Sequence, residues 1–155
     1  MKFLYPFSEI TKENVDIAGG KGASLGEMTQ AHFGVPPGYV VIAHAFDRFV
    51  DETGIKGEID ARLAEVDAED INSVDRASNI LRDVIHDTAM PAGIGLEILE
   101  AFDTLGAEHV AVRSSATAED SEIASWAGEL ETYLNTTRDN VTERVKECWS
   151  SLFTP

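Results

Sequence analysis

Between residues 45 and 105 the apolar side chains recur at helical spacing in successive stripes, flanked by two short apolar runs, Tyr39-Val40-Val41-Ile42 and His109-Val110-Ala111-Val112. Runs of four apolar residues beside turn chemistry such as Val35-Pro36-Pro37-Gly38 read as buried strands. Ala45 to Glu52 reads as one helix, which Gly54 and Gly57 separate from a second carrying Ile59, Leu63 and Val66. Val74, Ala77, Leu81, Val84 and Ile85 make another stripe. Pro91, Ile94, Ile98, Phe102 and Leu105 make a further one, which starts with proline in the first turn and stops at Gly106. The expected fold class is α+β, with helices packed around short strands.

The flanks add to this pattern. Gly19-Gly20-Lys21-Gly22-Ala23-Ser24-Leu25-Gly26-Glu27-Met28 begins too glycine-rich for a helix and then becomes helix-compatible, so it reads as a loop entering a helix N-terminus. After Gly128, Leu130, Thr132 and Leu134 alternate with Glu131, Tyr133 and Asn135, the period of a strand. Asn140 with Glu143 three residues on resembles a capping box, and Val141, Val145, Trp149 and Leu152 follow on one helical face. No repeat, low-complexity tract or linker interrupts the chain, so residues 1–155 are expected to form one domain.

Charge narrows the partners. Twenty-eight acidic against twelve basic residues leave a formal charge of -16, which repels nucleic acid backbones and anionic membrane surfaces. No run of about 18 apolar residues could span a membrane, and the N-terminus has no apolar leader. Cys148 stands alone and reads as a small buried hydrophobe in a reducing compartment, so a cytoplasmic location is expected.

Two cations stand out by their isolation. Lys21 is the only basic residue between Lys12 and Arg48, and Arg113 the only one between Arg82 and Arg138. Lys21 is bracketed by Gly20 and Gly22, while Arg113 opens Ser114-Ser115-Ala116-Thr117 at a strand end. A polyphosphate asks for cations, for backbone N–H groups at a helix start, and for hydroxyl donors, and these two segments offer all three. Each segment also has a plainer reading. The glycine run fits a flexible turn with a solvated lysine, and it lacks the Gly-Lys-Ser/Thr ending of a Walker loop. Arg113 fits a structural strand-end arginine that satisfies carbonyls or pairs with Glu119 or Asp120. His32, His44, His86 and His109 lack ligand spacing, and no metal site made of protein groups alone is expected. The acid clusters at 67–70 and 119–120 read as solvated faces, and Trp126 and Tyr133 as packing or as stacking partners for a base.

Taken in order, five segments resemble the N-terminal nucleotide-binding region of the phosphoenolpyruvate synthase family, with its relatives pyruvate phosphate dikinase and rifampicin phosphotransferase. They are Gly19 to Met28, Val35 to Tyr39, Val112 to Asp120, Ala127-Gly128 with Glu131 to Asn135, and Cys148 to Phe153. The resemblance covers nearly the whole chain. It implies the first subdomain of an ATP-grasp fold, with ATP held between two subdomains and Lys21 and Arg113 at the family's phosphate-binding positions. Arg113 is then the expected catalytic cation. Lys21, Arg113, Ser114, Thr117 and Gly128 are the expected nucleotide-binding residues, Gly128 lying in a loop over the phosphates. Mg²⁺ is expected to arrive with ATP, its protein ligands lying outside this chain.

In such enzymes ATP passes its β-phosphoryl group to a histidine on a swivelling domain, and a barrel domain then phosphorylates pyruvate, releasing AMP and phosphate. The resemblance thus implies the ATP-binding part of a homo-oligomer candidate, with pyruvate reached only through other domains and this chain alone inactive. Where relatives usually carry Gly-Gln-Gln, Gly128 is followed here by Glu129 and Leu130, an acid and an apolar residue in place of the amide pair. A rifampicin phosphotransferase would share almost every one of these segments, and a stand-alone nucleotide-binding module could keep the fold without the chemistry.

Overall fold

The structure is a computed structural model that describes residues 2–117 and 131–155. Along the chain run β1 (Leu4–Pro6), α1 (Val15–Gln30), β2 (Tyr39–Val41), α2 (Ala43–Thr53), α3 (Lys56–Ala64), α4 (Ile71–Asp87), α5 (Ala92–Leu105), β3 (Val110–Arg113), β4 (Thr132–Thr136) and α6 (Val141–Ser150). The class is α+β, as the spacing of apolar residues implied.

Local chemistry sets several boundaries where the sequence placed them. α5 starts directly after Pro91 and ends at Gly106, whose φ of 61° is left-handed. Glycine adopts that conformation without a Cβ clash, and proline's fixed φ suits a helix start. α2 likewise closes on Gly54 at φ 71°. Gly57, however, lies inside α3 and separates nothing, so the break between α2 and α3 is Gly54 alone. Val66 falls beyond the end of α3, and Leu63 is 48% exposed, which leaves Ile59 as the buried anchor of that short helix.

The described strands form two antiparallel pairs. β1 pairs with β2 in the register Leu4 to Val41 and Pro6 to Tyr39. β3 pairs with β4, Arg113 opposite Thr132 and Val112 opposite Tyr133, with an irregularity before Val110 meets Thr136. Asn135 sits in that irregularity at φ 53°. Tyr133 is half-buried and Leu134 is 70% exposed in plain alternation, and the bulge then leaves Asn135 exposed as well and makes Thr136 wholly buried. β3 is covered on one face only: Val110 and Val112 are half-buried, Ala111 and Arg113 exposed.

The core lies among the helices. Phe49 of α2, Leu81 and Ile85 of α4, Ile94 and Ile98 of α5, and Val145 and Trp149 of α6 form one apolar cluster. The Trp149 ring stacks obliquely 5.1 Å from Phe49 and 5.6 Å from Phe46. A smaller cluster, Ile10, Ala18, Val40 and Ile42, seats α1 on β2. The expected capping box of α6 does not form. The Asn140 carboxamide oxygen instead accepts from the Thr137 N–H at 2.8 Å, and Glu143 pairs with Lys146 at 3.2 Å.

Candidate functional site

The glycine segment is helical on both sides of a single break. Within α1, Gly19 alone leaves helical geometry, at φ 70° and ψ 168°, so a second helical start follows at Gly20. The loop expected there is therefore one residue long. Gly19 makes room for the end of β3: a Cβ on it would meet Ser115 at 2.5 Å from the carbonyl oxygen. The Ser115 hydroxyl donates to the Ala18 carbonyl at 2.8 Å and accepts from the Gly22 N–H at 3.0 Å. The Gly20 N–H donates to the Ala116 carbonyl at 3.2 Å. Two of the amides at this helix start, expected to be open for a ligand, are thus taken by the protein's own chain.

This seam brings the two cations together. The Lys21 ammonium donates to the Ser114 carbonyl at 3.4 Å, across 93 residues of sequence and next to Arg113 in the chain. Lys21 is half-buried, and Arg113 is exposed and makes no ion pair among the described residues. Lys21, Arg113, Ser114 and Thr117 all line one cleft of about 760 Å³, whose walls are otherwise largely apolar and include Tyr39, Phe46, Phe102 and Trp149. Pockets of this size, apolar with a few convergent polar groups, suit a small ligand with a flat apolar part and an anionic part. Ser114 is buried and its hydroxyl donates to the Glu131 carbonyl at 3.2 Å, so joining a phosphate would require that hydroxyl to turn. Gly128, and with it Glu119, Asp120, Ser125 and Trp126, lies outside the described residues.

Cys148 borders the same cleft. Burial, helped by the nearby negative charges of Glu131 and Glu147, pushes its thiol up to about 12, while the charge of Lys21 acts in the opposite direction. At neutral pH Cys148 is a protonated, buried thiol and no nucleophile. Tyr133 is pushed up to about 12 as well, first by desolvation and then by Glu131 and Glu147. All four histidines are exposed, and among the described residues no three His, Cys, Asp or Glu side chains gather to hold a metal ion.

Sequence reasoning singled out the cations and missed what joins them. Ser115 passed as one hydroxyl of a cluster and Gly19 as one glycine of a run. The signal that could have found them is the Gly-Gly doublet, since a glycine before a helix start removes the side chain that would otherwise cap it.

The family described as pyruvate phosphate dikinase, AMP/ATP-binding domain, matches residues 15–155. Among curated relatives, the probable phosphoenolpyruvate synthase of Methanocaldococcus jannaschii is 46% identical over 162 residues, covering 100% of this chain and 14% of that protein. The probable phosphoenolpyruvate synthase of Archaeoglobus fulgidus is 47% identical over 154 residues, covering 96% of this chain and 20% of the relative. That of Methanothermobacter thermautotrophicus is 42% identical over 160 residues, covering 99% and 23%. The chain thus spans less than a quarter of the length of these three relatives.

Proposed function

The chain belongs to the pyruvate phosphate dikinase AMP/ATP-binding domain family, and from that premise we propose that residues 1–155 form one wall of an ATP site in a phosphoenolpyruvate synthase. The reaction proposed for the whole enzyme converts ATP, pyruvate and water to AMP, phosphoenolpyruvate and phosphate, with pyruvate handled by other domains, in the cytoplasm. The observation that carries the proposal is the convergence of Lys21 and the Arg113 strand end on one largely apolar cleft.

In this reading the Lys21 ammonium and the Arg113 guanidinium face the phosphates, and Arg113 also stabilises charge that develops during phosphoryl transfer. Thr117 and Ser114 add hydroxyl donors, and the aromatic wall near Phe46 and Trp149 receives the apolar portion of the nucleotide. Gly128 is assigned to the loop over the phosphates on the resemblance alone. Mg²⁺, carried by ATP, supplies charge neutralisation between phosphate oxygens when bound. The curated names of the relatives favour this acceptor chemistry over transfer to a drug hydroxyl.

The test is ATP affinity of Lys21→Ala and Arg113→Ala in the protein at its natural full length. Losing a charged hydrogen bond of about 1.5–3 kcal/mol should weaken binding or transition-state stabilisation by roughly 10- to 100-fold. Near-wild-type ATP binding and turnover in both variants would remove the two cations from the site.

A further inference from the structure

We propose that Ser115 is the positioning residue of this site: it caps the second helical start of α1 from across the fold and thereby holds Lys21 and Arg113 in one frame. The inference rests on the reading of those two cations as phosphate-facing.

Counted from the break, Gly19 stands at the position before the helix, and Gly20, Lys21 and Gly22 are its first three residues. A serine in the position of Gly19 would send its hydroxyl oxygen to the amide of the second or third residue. Gly19 has no side chain to send. The third amide, that of Gly22, instead receives the hydroxyl oxygen of Ser115, and the first, that of Gly20, donates to the carbonyl of Ala116. The Ser115 proton is used as well, on the carbonyl of Ala18 before the break. One hydroxyl therefore bridges both sides of the break. The fit is reciprocal, because a Cβ at Gly19 would occupy the space that Ser115 fills.

The consequence concerns the cations. Lys21 lies between the two amides held by the 115–116 segment, and Arg113 lies two residues before Ser115. With Gly20 and Gly22 engaged internally, neither amide is open to phosphate oxygens, which shifts that contact toward side chains. Their separation is then set by the seam, in which the two Ser115 bonds work beside those from Lys21 to Ser114 and from Gly20 to Ala116. Without the Ser115 bonds the Arg113 strand end and the Lys21 helix start could drift apart, and two cations drifting independently lose the advantage of simultaneous contact.

The experiment compares Ser115→Ala, Ser115→Cys and Ser115→Thr at natural full length, measuring ATP dissociation by calorimetry, KM for ATP, thermal midpoint, and amide exchange of the peptide covering residues 18–24. Ser115→Cys keeps the side-chain size with a poor acceptor, and Ser115→Thr keeps the hydroxyl. Expected are faster exchange and ATP binding weakened about fivefold to tenfold in the Ala and Cys variants, with KM raised in the folded protein and near-wild-type behaviour in the Thr variant. Should Ser115→Ala fail to fold, the Cys and Thr pair makes the same comparison of acceptor against none. ATP affinity within twofold of wild type in a folded Ala or Cys variant overturns the inference. So does a fall in thermal midpoint alone, with KM unchanged, because that is a purely structural role. Lys21→Ala and Arg113→Ala, run alongside, separate the two claims. If they lose ATP while the Ser115 variants do not, only the positioning role fails, and if they keep ATP, the cation reading fails and takes this inference with it.

Discussion

In the helical body, Phe49, Leu81, Ile85 and Ile94 are at most 1% exposed and share one apolar cluster with Val145 and Trp149 of α6. At the seam, Gly19 to Gly22 meet Ser114 to Ala116 through amides, carbonyls, one ammonium and one hydroxyl, with hardly an apolar side chain between them. The two kinds of joint do different things. Fully burying one large apolar side chain contributes about 1.5–3 kcal/mol, whereas a hydrogen bond exchanged with water nets about 0.5–1.5. The body therefore sets whether the chain folds, and the seam sets where two charges stand. Stability and ligand affinity should come apart under mutation.

The largest effect belongs to the body. Phe49→Ala removes a wholly buried ring that stacks against Phe46 and Trp149, and should cost about 3–5 kcal/mol by denaturant unfolding. A loss below about 1 kcal/mol would mean that this cluster is not the part that decides folding.

The body also contains a polar joint at Lys146, which sharpens the contrast. Lys146 is 4% exposed, and its ammonium donates to the carbonyls of His86 and Thr88 at 2.8 and 2.9 Å while pairing with Glu143 at 3.2 Å. It neutralises the C-terminal end of α4 from α6. Lys146→Met keeps the bulk but takes the charged donor from two partly buried carbonyls, so a loss of about 2 kcal/mol is expected with ATP affinity of the folded protein unchanged. An altered affinity would show that the body reaches the site.

Gly19→Ala tests the other side. Its φ of 70° with ψ 168° is a conformation essentially confined to glycine and costs another residue about 1–3 kcal/mol, and the new Cβ would press on the Ser115 backbone, which must shift. A modest global loss with a disproportionate loss of ATP binding is expected. If stability fell as far as in Phe49→Ala, the seam would be part of the core and the distinction between the two regions would fail.

The two regions were also unequally legible. Stripes such as Ile94, Ile98 and Phe102 are local, and with Pro91 and Gly106 they fixed α5 to its ends. β2 and β3 were read from their apolar runs, although the exposed face of β3 was not, because burial depends on what packs above a strand. The bulge at Asn135 leaves Leu134 and Asn135 both exposed and turns Thr136 inward, and no period-two pattern carries a one-residue insertion. The expected box of Asn140 and Glu143 gave way to bonds with Thr137 and Lys146, since capping groups choose among all neighbours. At the site, the isolation of Lys21 and Arg113 was visible in one dimension. The bridge through Ser115 was not, because its partners lie 93 and 97 residues away.

The smallest expected effect comes from the far end of α1, where the same backbone chemistry recurs away from the cleft. His32 sits at φ 58°, its N–H donating to the Thr29 carbonyl at 3.2 Å, while the N–H of Phe33 reaches back to the Met28 carbonyl at 3.0 Å. That pair of bonds is a Schellman ending, a position that favours glycine. His32→Gly relieves about 1–2 kcal/mol of left-handed strain and gives back about 0.5–1 through the freer unfolded chain, so a net gain of about 0.5–1 kcal/mol is expected in urea unfolding. At 1.5 Å per residue the position lies about 20 Å along the helix from Gly19, and ATP affinity should not move. If affinity did change, α1 would transmit strain along its length, and the seam could no longer be treated as a joint that acts only where it lies.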